Sequence, residues 1–296
     1  MILEEVRKNK ISSFFIVSIF IVVITVGLYT VFTAFDFGPF AIILAMLFSF
    51  ISAFFSYYNS DKIVLGISGA RPATKEQDFL LSEVLDGLCI ASGLPRPKLY
   101  VIPDSSPNAF ATGRNPENAV VCVTTGLLEK LDKYELQGVI AHELAHIKNY
   151  DILLSTVVTV FVGLVVILSD ILTRFMFFRN SSKDSNSNSN AILYLVGLVF
   201  LILSPIFATL MQLAISRKRE YLADSTSVEF TRNKEGLISA LKKLSADTTP
   251  LEVANKSTAH LYIVNPLKST KTVKRSSLFS THPPIEDRIA KLQNIH

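Results

Sequence analysis

The run Ala141-His142-Glu143-Leu144-Ala145-His146 places two imidazoles four residues apart with a carboxylate between them. On a helix, positions i and i+4 share one face, so His142 and His146 can address a single metal ion. Glu143 lies one position round, near enough to take a proton from water held there. The chain has five histidines among 296 residues, and chance seldom builds so constrained a pattern from so few. A zinc site that does chemistry also needs a third protein ligand and one open position. Ile147-Lys148-Asn149 follow His146, so the HExxHxxGxxH spacing is absent, and neither His260 nor His282 supplies it. A carboxylate from another helix is the alternative. Glu220, in Arg219-Glu220-Tyr221-Leu222-Ala223-Asp224, suits that role. Asp224, four residues on, shares its face and can accept the second ring N–H of a ligand histidine. Alone, such a Glu/Asp pair is commonly a solvated face; beside HExxH it reads as a ligand and its supporting neighbour.

These residues must be carried by elements. Asp132 and Glu135 form a capping box, opening a helix that carries Val139, Ile140 and Leu144 on its apolar face. That helix is expected to run through Asp151 into, or close to, an apolar span. Four such spans are expected, over about 11–35, 37–58, 152–178 and 191–215, each long enough for a bilayer. The first is too long for a signal-peptide core and reads as a retained helix. Pro205 interrupts the fourth, as membrane helices tolerate. Arg7, Lys8 and Lys10 precede the first span, and Arg217, Lys218 and Arg219 follow the fourth, which places both termini in the cytosol. The chain then divides into a membrane hairpin (1–58), a cytosolic part with HExxH (59–151), a second hairpin (152–215) and a second cytosolic part (216–296). The Ser/Asn-rich tract within 179–190 becomes an external loop. Asp170 and Arg174, near the outer end of the third span, are spaced to pair and snorkel. Two hairpins thus return Glu220 to the face that bears His142 and His146.

Composition agrees. Hydrophobic residues make up 49 %, charged residues 18 %, and mean hydropathy is +0.40. The net charge of +4 is small and flanks apolar runs, which argues against a nucleic-acid partner. Cys89 and Cys122 form no CxxC pair and read as packing residues. In the polar parts, Thr74 with Gln77 caps a helix that Gly93 stops, and Lys98–Ile102 is a strand. Asn108–Gly113 and Ala119–Thr125 form a β-hairpin, Arg217–Phe230 and Lys234–Leu244 are helices, and a last helix starts at Pro283-Pro284. The stretch from Ala246 to Leu278 has little periodicity and reads as loop.

HELAH, two flanking spans, Arg217-Lys218-Arg219-Glu220-Tyr221-Leu222-Ala223-Asp224 and Thr281-His282-Pro283-Pro284 with Glu286-Asp287-Arg288-Ile289 together resemble the M48 family of membrane metallopeptidases. Ser68–Pro72 and Asn108–Gly113 extend the likeness over nearly the whole chain. The similarity is strongest to the bacterial HtpX branch, with Ste24 CAAX proteases more distant. Thr281 stands where the family usually has Ser. The resemblance implies one Zn²⁺ held by His142, His146 and Glu220, with Glu143 as general base, and a bacterial inner-membrane protein with a cytosolic active site. It implies a mainly α, four-span membrane protein carrying a cytosolic α+β gluzincin-like domain with a small sheet. Polypeptide substrates, foremost damaged membrane proteins, are the expected partners beside the lipid bilayer. His282 and Arg288 are candidates to stabilise the oxyanion, although His282 before Pro-Pro equally suits a turn. The strand with Asn108, Ala109 and Phe110 is a candidate to bind substrate by β-addition, or only a cap and a core residue. Rival readings are a CAAX-type prenyl protease and a membrane scaffold with a structural metal; Glu143 would have no purpose in the scaffold.

Overall fold

The computed structural model describes residues 2–34, 37–163, 216–254, 258–266 and 283–295. The tract 179–190, the fourth span, Asp170, Arg174 and His282 lie outside the described residues. Helix α1 (Ile2–Ala34) turns through a short 3-10 segment, Gly38–Phe40, into α2 (Ala41–Tyr58). Windows in both helices are long and apolar enough to cross a membrane. On α2 the buried residues are Ala41, Ala45, Ser49, Ala53 and Ser56, a stripe at helical spacing. Small side chains there let two backbones approach closely, as membrane helices require. Large residues such as Phe14, Phe15, Phe54 and Phe55 point outward and are exposed. Two crossing helices are therefore described where the sequence leads one to expect four spans. The first also starts earlier than its apolar span, because the polar stretch up to Lys10 is itself helical.

Past α3 (Ser60–Ile67) lies a mixed sheet of β1 (Arg71–Pro72), β2 (Lys98–Ile102), β3 (Ala109–Thr112) and β4 (Val120–Thr124), ordered β1-β2-β4-β3. β3 and β4 pair antiparallel, as the hairpin reading expects, while β2 runs parallel to β4. Side chains alternate across the sheet, and both faces are buried. Leu99, Val101, Val121 and Val123 join the core formed with α4 (Lys75–Ser92) and the HExxH helix. Ile102, Phe110, Val120 and Cys122 join a second core, shared with α1 and the helix that begins at Asp151. Phe20 of α1 stacks on Phe161 there, with ring centroids 3.8 Å apart. The sheet thus lies between the HExxH helix with its neighbours and the hairpin of α1 and α2.

Both capping boxes form, at Thr74/Gln77 and at Asp132/Glu135, and Gly93 ends α4 in the left-handed conformation. After the short α5 (Thr125–Lys130), α6 (Lys133–Lys148) carries HExxH. It does not continue into the next span. Tyr150 adopts φ +58°, left-handed for a side chain that rarely accepts it, and the chain turns there before α7, described over Asp151–Gly163. Beyond it α8 (Arg217–Thr231), α9 (Lys234–Ala246) and α10 (Ile285–Gln293) complete the catalytic layer. Thr258–Val264, inside the expected loop, is buried throughout and lines β3, with the Ile263 amide donating to the Ala109 carbonyl at 3.0 Å.

α6 meets α9 at glycine. A Cβ on Gly138 would lie 2.7 Å from the Leu237 nitrogen, and one on Gly236 would lie 2.5 Å from the Tyr134 carbonyl oxygen. Both neighbours are backbone and cannot swing aside. Gly138→Ala is therefore expected to destabilise the protein by about 1–3 kcal/mol through overpacking. Thermal melts of the detergent-purified protein, variant against wild type, check it; an unchanged midpoint would contradict the close approach.

Candidate metal centre

His142, Glu143 and His146 come from the C-terminal half of α6, where the helix is buried between the sheet and α8. Glu220 and Asp224 come from one face of α8. The Nε2 atoms of His142 and His146 lie 3.2 Å apart. Glu220 Oε2 is 3.7 Å from the first, and Oε1 is 3.5 Å from the second. Tetrahedral zinc with bonds of about 2.0–2.1 Å spaces neighbouring ligand atoms roughly 3.3–3.4 Å apart. The three side chains therefore converge at metal-ligand separations, and their donor atoms all lie within 4.8 Å of one another.

The other imidazole nitrogens are held from behind. His142 Nδ1 lies 3.0 Å from Asp224 Oδ1, and His146 Nδ1 lies 2.8 Å from Asp151 Oδ2. Each carboxylate favours the tautomer with a proton on Nδ1, which turns the Nε2 lone pair toward the common point. Arg288 donates to both Asp224 oxygens, at 2.9 Å and 2.6 Å, and to the Ile263 carbonyl at 3.1 Å. Arg219 lies 3.5 Å from Asp151. Four carboxylates, Glu143, Asp151, Glu220 and Asp224, thus face two guanidinium groups. A divalent cation would bring that buried set to balance, which agrees with the donor types present.

Protonation in the metal-free site follows the same imbalance. Burial raises the Glu143 carboxyl to about 7, with the neighbouring Glu220 charge adding to it against the His146 charge. Burial opposes the charged form of His146, but the Asp151 bond and the Glu220 and Glu143 charges outweigh it, and its pKa rises to about 9. Burial and Arg288 lower His142. Asp224 is held well below the usual carboxylate range: burial opposes its charge, and the Arg288 and His142 contacts overcome that.

The cleft over this site is lined by Glu143, the three converging residues, Ala111 and His260, among others. Sequence reasoning missed Asp151, His260 and Ala111. Asp151 had a signal: a lone acid at the mouth of an apolar span, five residues past a candidate ligand. His260 carried none, because only the path of Thr258–Val264 brings it to the cleft. Three of the candidate site residues, Arg288, Asn108 and Phe110, are buried, the last two as the cap-and-core alternative expects. Arg288 is fully buried beside His142, its guanidinium bonded to Asp224 and the Ile263 carbonyl and 3.7 Å from Glu220 Oε2. Asn108 is buried, and its amide clamps Val264 while its carbonyl oxygen accepts from the Ala109 amide. Phe110 packs edge-on against Tyr262. Both outward hydrogen-bonding groups of Ala109 are thus engaged within the chain, which leaves Ala111 as the β3 residue at the cleft.

A small mixed sheet beside an HExxH helix, with the completing carboxylate returned on a second helix, is the architecture of a metalloprotease. Residues 75–296 match the model of Peptidase family M48. The "Protease HtpX homolog" of Dictyoglomus thermophilum is 48 % identical over 290 residues, covering 98 % of this chain and 93 % of that protein. Those of Thermoanaerobacter pseudethanolicus (42 %; 99 % and 96 % covered) and Listeria monocytogenes (43 %; both chains in full) are similar. Among solved structures, Saccharomyces mikatae Ste24p superposes with a TM-score of 0.51 at 18 % identity, over 98 % of this chain and 67 % of that one, a likeness of fold. The chain belongs to peptidase family M48 and is a metalloprotease.

Glu143 and His146 bind protons more tightly in the folded, metal-free protein than in the unfolded chain. Stability from Glu143 should fall as pH rises from 4.5 through about 7, and from His146 as it rises from 6.5 through about 9. His142, held below 6.5, works the other way at the acid end, so the chelated protein is expected to melt at progressively lower temperature as pH rises from 6.5 to about 9. Glu143→Gln should flatten the lower half. Melting points of both proteins across the window check the sign.

Proposed function

We propose that His142, His146 and Glu220 hold Zn²⁺ and that the protein is a zinc-dependent endopeptidase of the cytoplasmic membrane. Its substrates on this reading are damaged or misfolded membrane proteins, cut at cytosolic segments. The convergence of two Nε2 atoms and a carboxylate, with Glu143 beside them on an open cleft, is the observation that carries it. When bound, zinc supplies Lewis acidity and makes water a nucleophile near neutral pH. Glu143, buried yet facing the cleft, is placed to accept that water's proton and pass it to the leaving amine. Asp224 and Asp151 hold the imidazoles in register, and Arg288 holds Asp224. His282 stays a candidate oxyanion donor on its sequence context alone.

Substrate would lie in the cleft against Ala111, whose backbone also bonds the Glu143 carboxylate. So short a stretch of edge offers few main-chain bonds and little sequence selectivity, which suits a protease for damaged chains. The two apolar helices support a membrane setting, and the basic flanks Arg7, Lys8 and Lys10 support a cytosolic catalytic side.

The test is cleavage of casein by detergent-purified protein, stripped of metal and then given Zn²⁺. Wild type should regain activity, Glu143→Gln should stay about 10²- to 10⁴-fold slower while still binding zinc stoichiometrically, and Glu220→Ala should lose the metal. Equal cleavage by wild type and Glu143→Gln would remove Glu143 from the mechanism. Zinc binding without cleavage by wild type would point to a structural site.

A further inference from the structure

The first apolar helix does more than anchor the chain. Its polar first turns lie outside the residues that match the family model, yet they touch both elements that bear the metal centre. Glu5 pairs with Lys218 at 2.6 Å, two positions before Glu220 on α8. Lys10 sits over the Tyr150 ring, 4.0 Å from its centroid, at the left-handed turn that separates α6 from α7. Between them, Asn9 is 1 % exposed. Its amide nitrogen donates to the Asn149 carbonyl at 3.0 Å and to Asp151 Oδ1 at 2.6 Å. The other oxygen of that carboxylate, Oδ2, holds His146 Nδ1 at 2.8 Å.

We propose that Asn9 is a positioning residue for the metal centre, acting through Asp151 to fix the orientation of His146. The chemistry of the contacts is specific. Both partners of the Asn9 nitrogen are acceptors, so position 9 must supply two N–H bonds without charge, which an amide does. An aspartate there would set two carboxylates face to face, and a leucine would remove the donor to the Asn149 carbonyl and leave Asp151 Oδ1 facing only Arg219, at the longer distance of 3.5 Å. Tyr150 holds a backbone conformation that costs energy for a non-glycine residue and persists only where its surroundings enforce it. Asn9 on the preceding carbonyl and Lys10 on the ring are such surroundings. Because Asp151 begins α7 directly after that turn, its carboxylate has no helix of its own to set its angle from the N-terminal side. α1 provides that reference. The catalytic unit therefore includes the first three turns of α1, and a fragment lacking them would retain the ligands with His146 less well held.

The inference rests on the reading of His146 as a zinc ligand, and the full-length protein in detergent tests the two separately. Zinc affinity is measured by chelator competition for wild type, Asn9→Leu, Asp151→Ala and the double variant. Loss of a carboxylate behind a ligand histidine weakens metal binding by about 10- to 100-fold. Asn9→Leu, one step further out, is expected to weaken it by about tenfold, within that same range. Acting only through Asp151, it should add nothing in the Asp151→Ala background. Asn9→Ser, with a single donor, should fall between Leu and wild type. Ser18→Ala, which removes a hydroxyl bonded only within α1, should leave affinity unchanged. Wild-type affinity in Asn9→Leu, or an equal loss in both backgrounds, overturns the positioning role and leaves Asn9 a general stabiliser. A wild type that binds no zinc overturns the metal reading itself. If Asn9→Leu does not fold, Asn9→Gln carries the same cycle, with the amide displaced by one methylene.

Discussion

The structure is organised around the cost of burying charge at the crossing of α6 and α8. Two imidazoles and four carboxylates sit where water has little access, and an unpaired charge there would be far more costly than any packing gain. Several of the buried carboxylates are consequently tied to partners from different parts of the chain. Asp224 answers to Arg288 on α10, Asp151 to Asn9 on α1 and Arg219 on α8, and Glu135 at the start of α6 to Lys243 on α9 at 2.7 Å. Segments distant in sequence are thereby locked together by electrostatics rather than by shape alone. The remaining imbalance is what a divalent cation would neutralise, so the site stores an affinity for metal in its own charge count.

This arrangement explains why the protease layer and the membrane hairpin share a sheet. Alternating residues of β2, β3 and β4 face the catalytic helices on one side and α1 and α7 on the other. Register in such a sheet is strongly specified, because a slip of one residue would exchange the two faces. Ala111, near the end of β3, is thereby placed against Glu143, while Phe110 is turned away toward Tyr262. The glycines at the α6–α9 contact serve the same end, letting the HExxH helix approach a neighbour that a larger side chain would hold off. Membrane anchoring and active-site geometry are in this way two faces of one packing problem.

Much of the layout was legible in the residues. The capping boxes at Thr74 and Asp132, the stop at Gly93, the strands and the helices through Glu220 and Leu241 follow from local rules, and they stand close to where those rules place them. HELAH marked its own helix face, and Asp224 followed from spacing. What failed to show were relations between distant segments. The turn at Tyr150 was hidden because its neighbours read as good helix, and contacts from α1 help to hold it. Thr258–Val264 is irregular, as its lack of periodicity expects, but its burial against β3 rests on single contacts such as the Ile263 amide on the Ala109 carbonyl, which no local pattern announces. Arg288 and Asn108 were recognised as special from the motifs around them, yet their partners, Asp224 and Val264, could not be named from one dimension.

The division has a physical basis. Helix caps, amphipathic periods and the spacing of HExxH depend on residues within a turn or two, so the sequence by itself determined most of the elements and which side chains share the HExxH helix face. Which buried carboxylate supports which imidazole depends on the burial of charges whose partners lie tens to hundreds of residues away. Only the tertiary structure decided that Asp151 stands behind His146, that Arg288 is buried against Asp224, and that the first helix reaches the candidate metal centre, because the cost of leaving a buried polar group unpaired is settled by the whole fold and by no local segment of it.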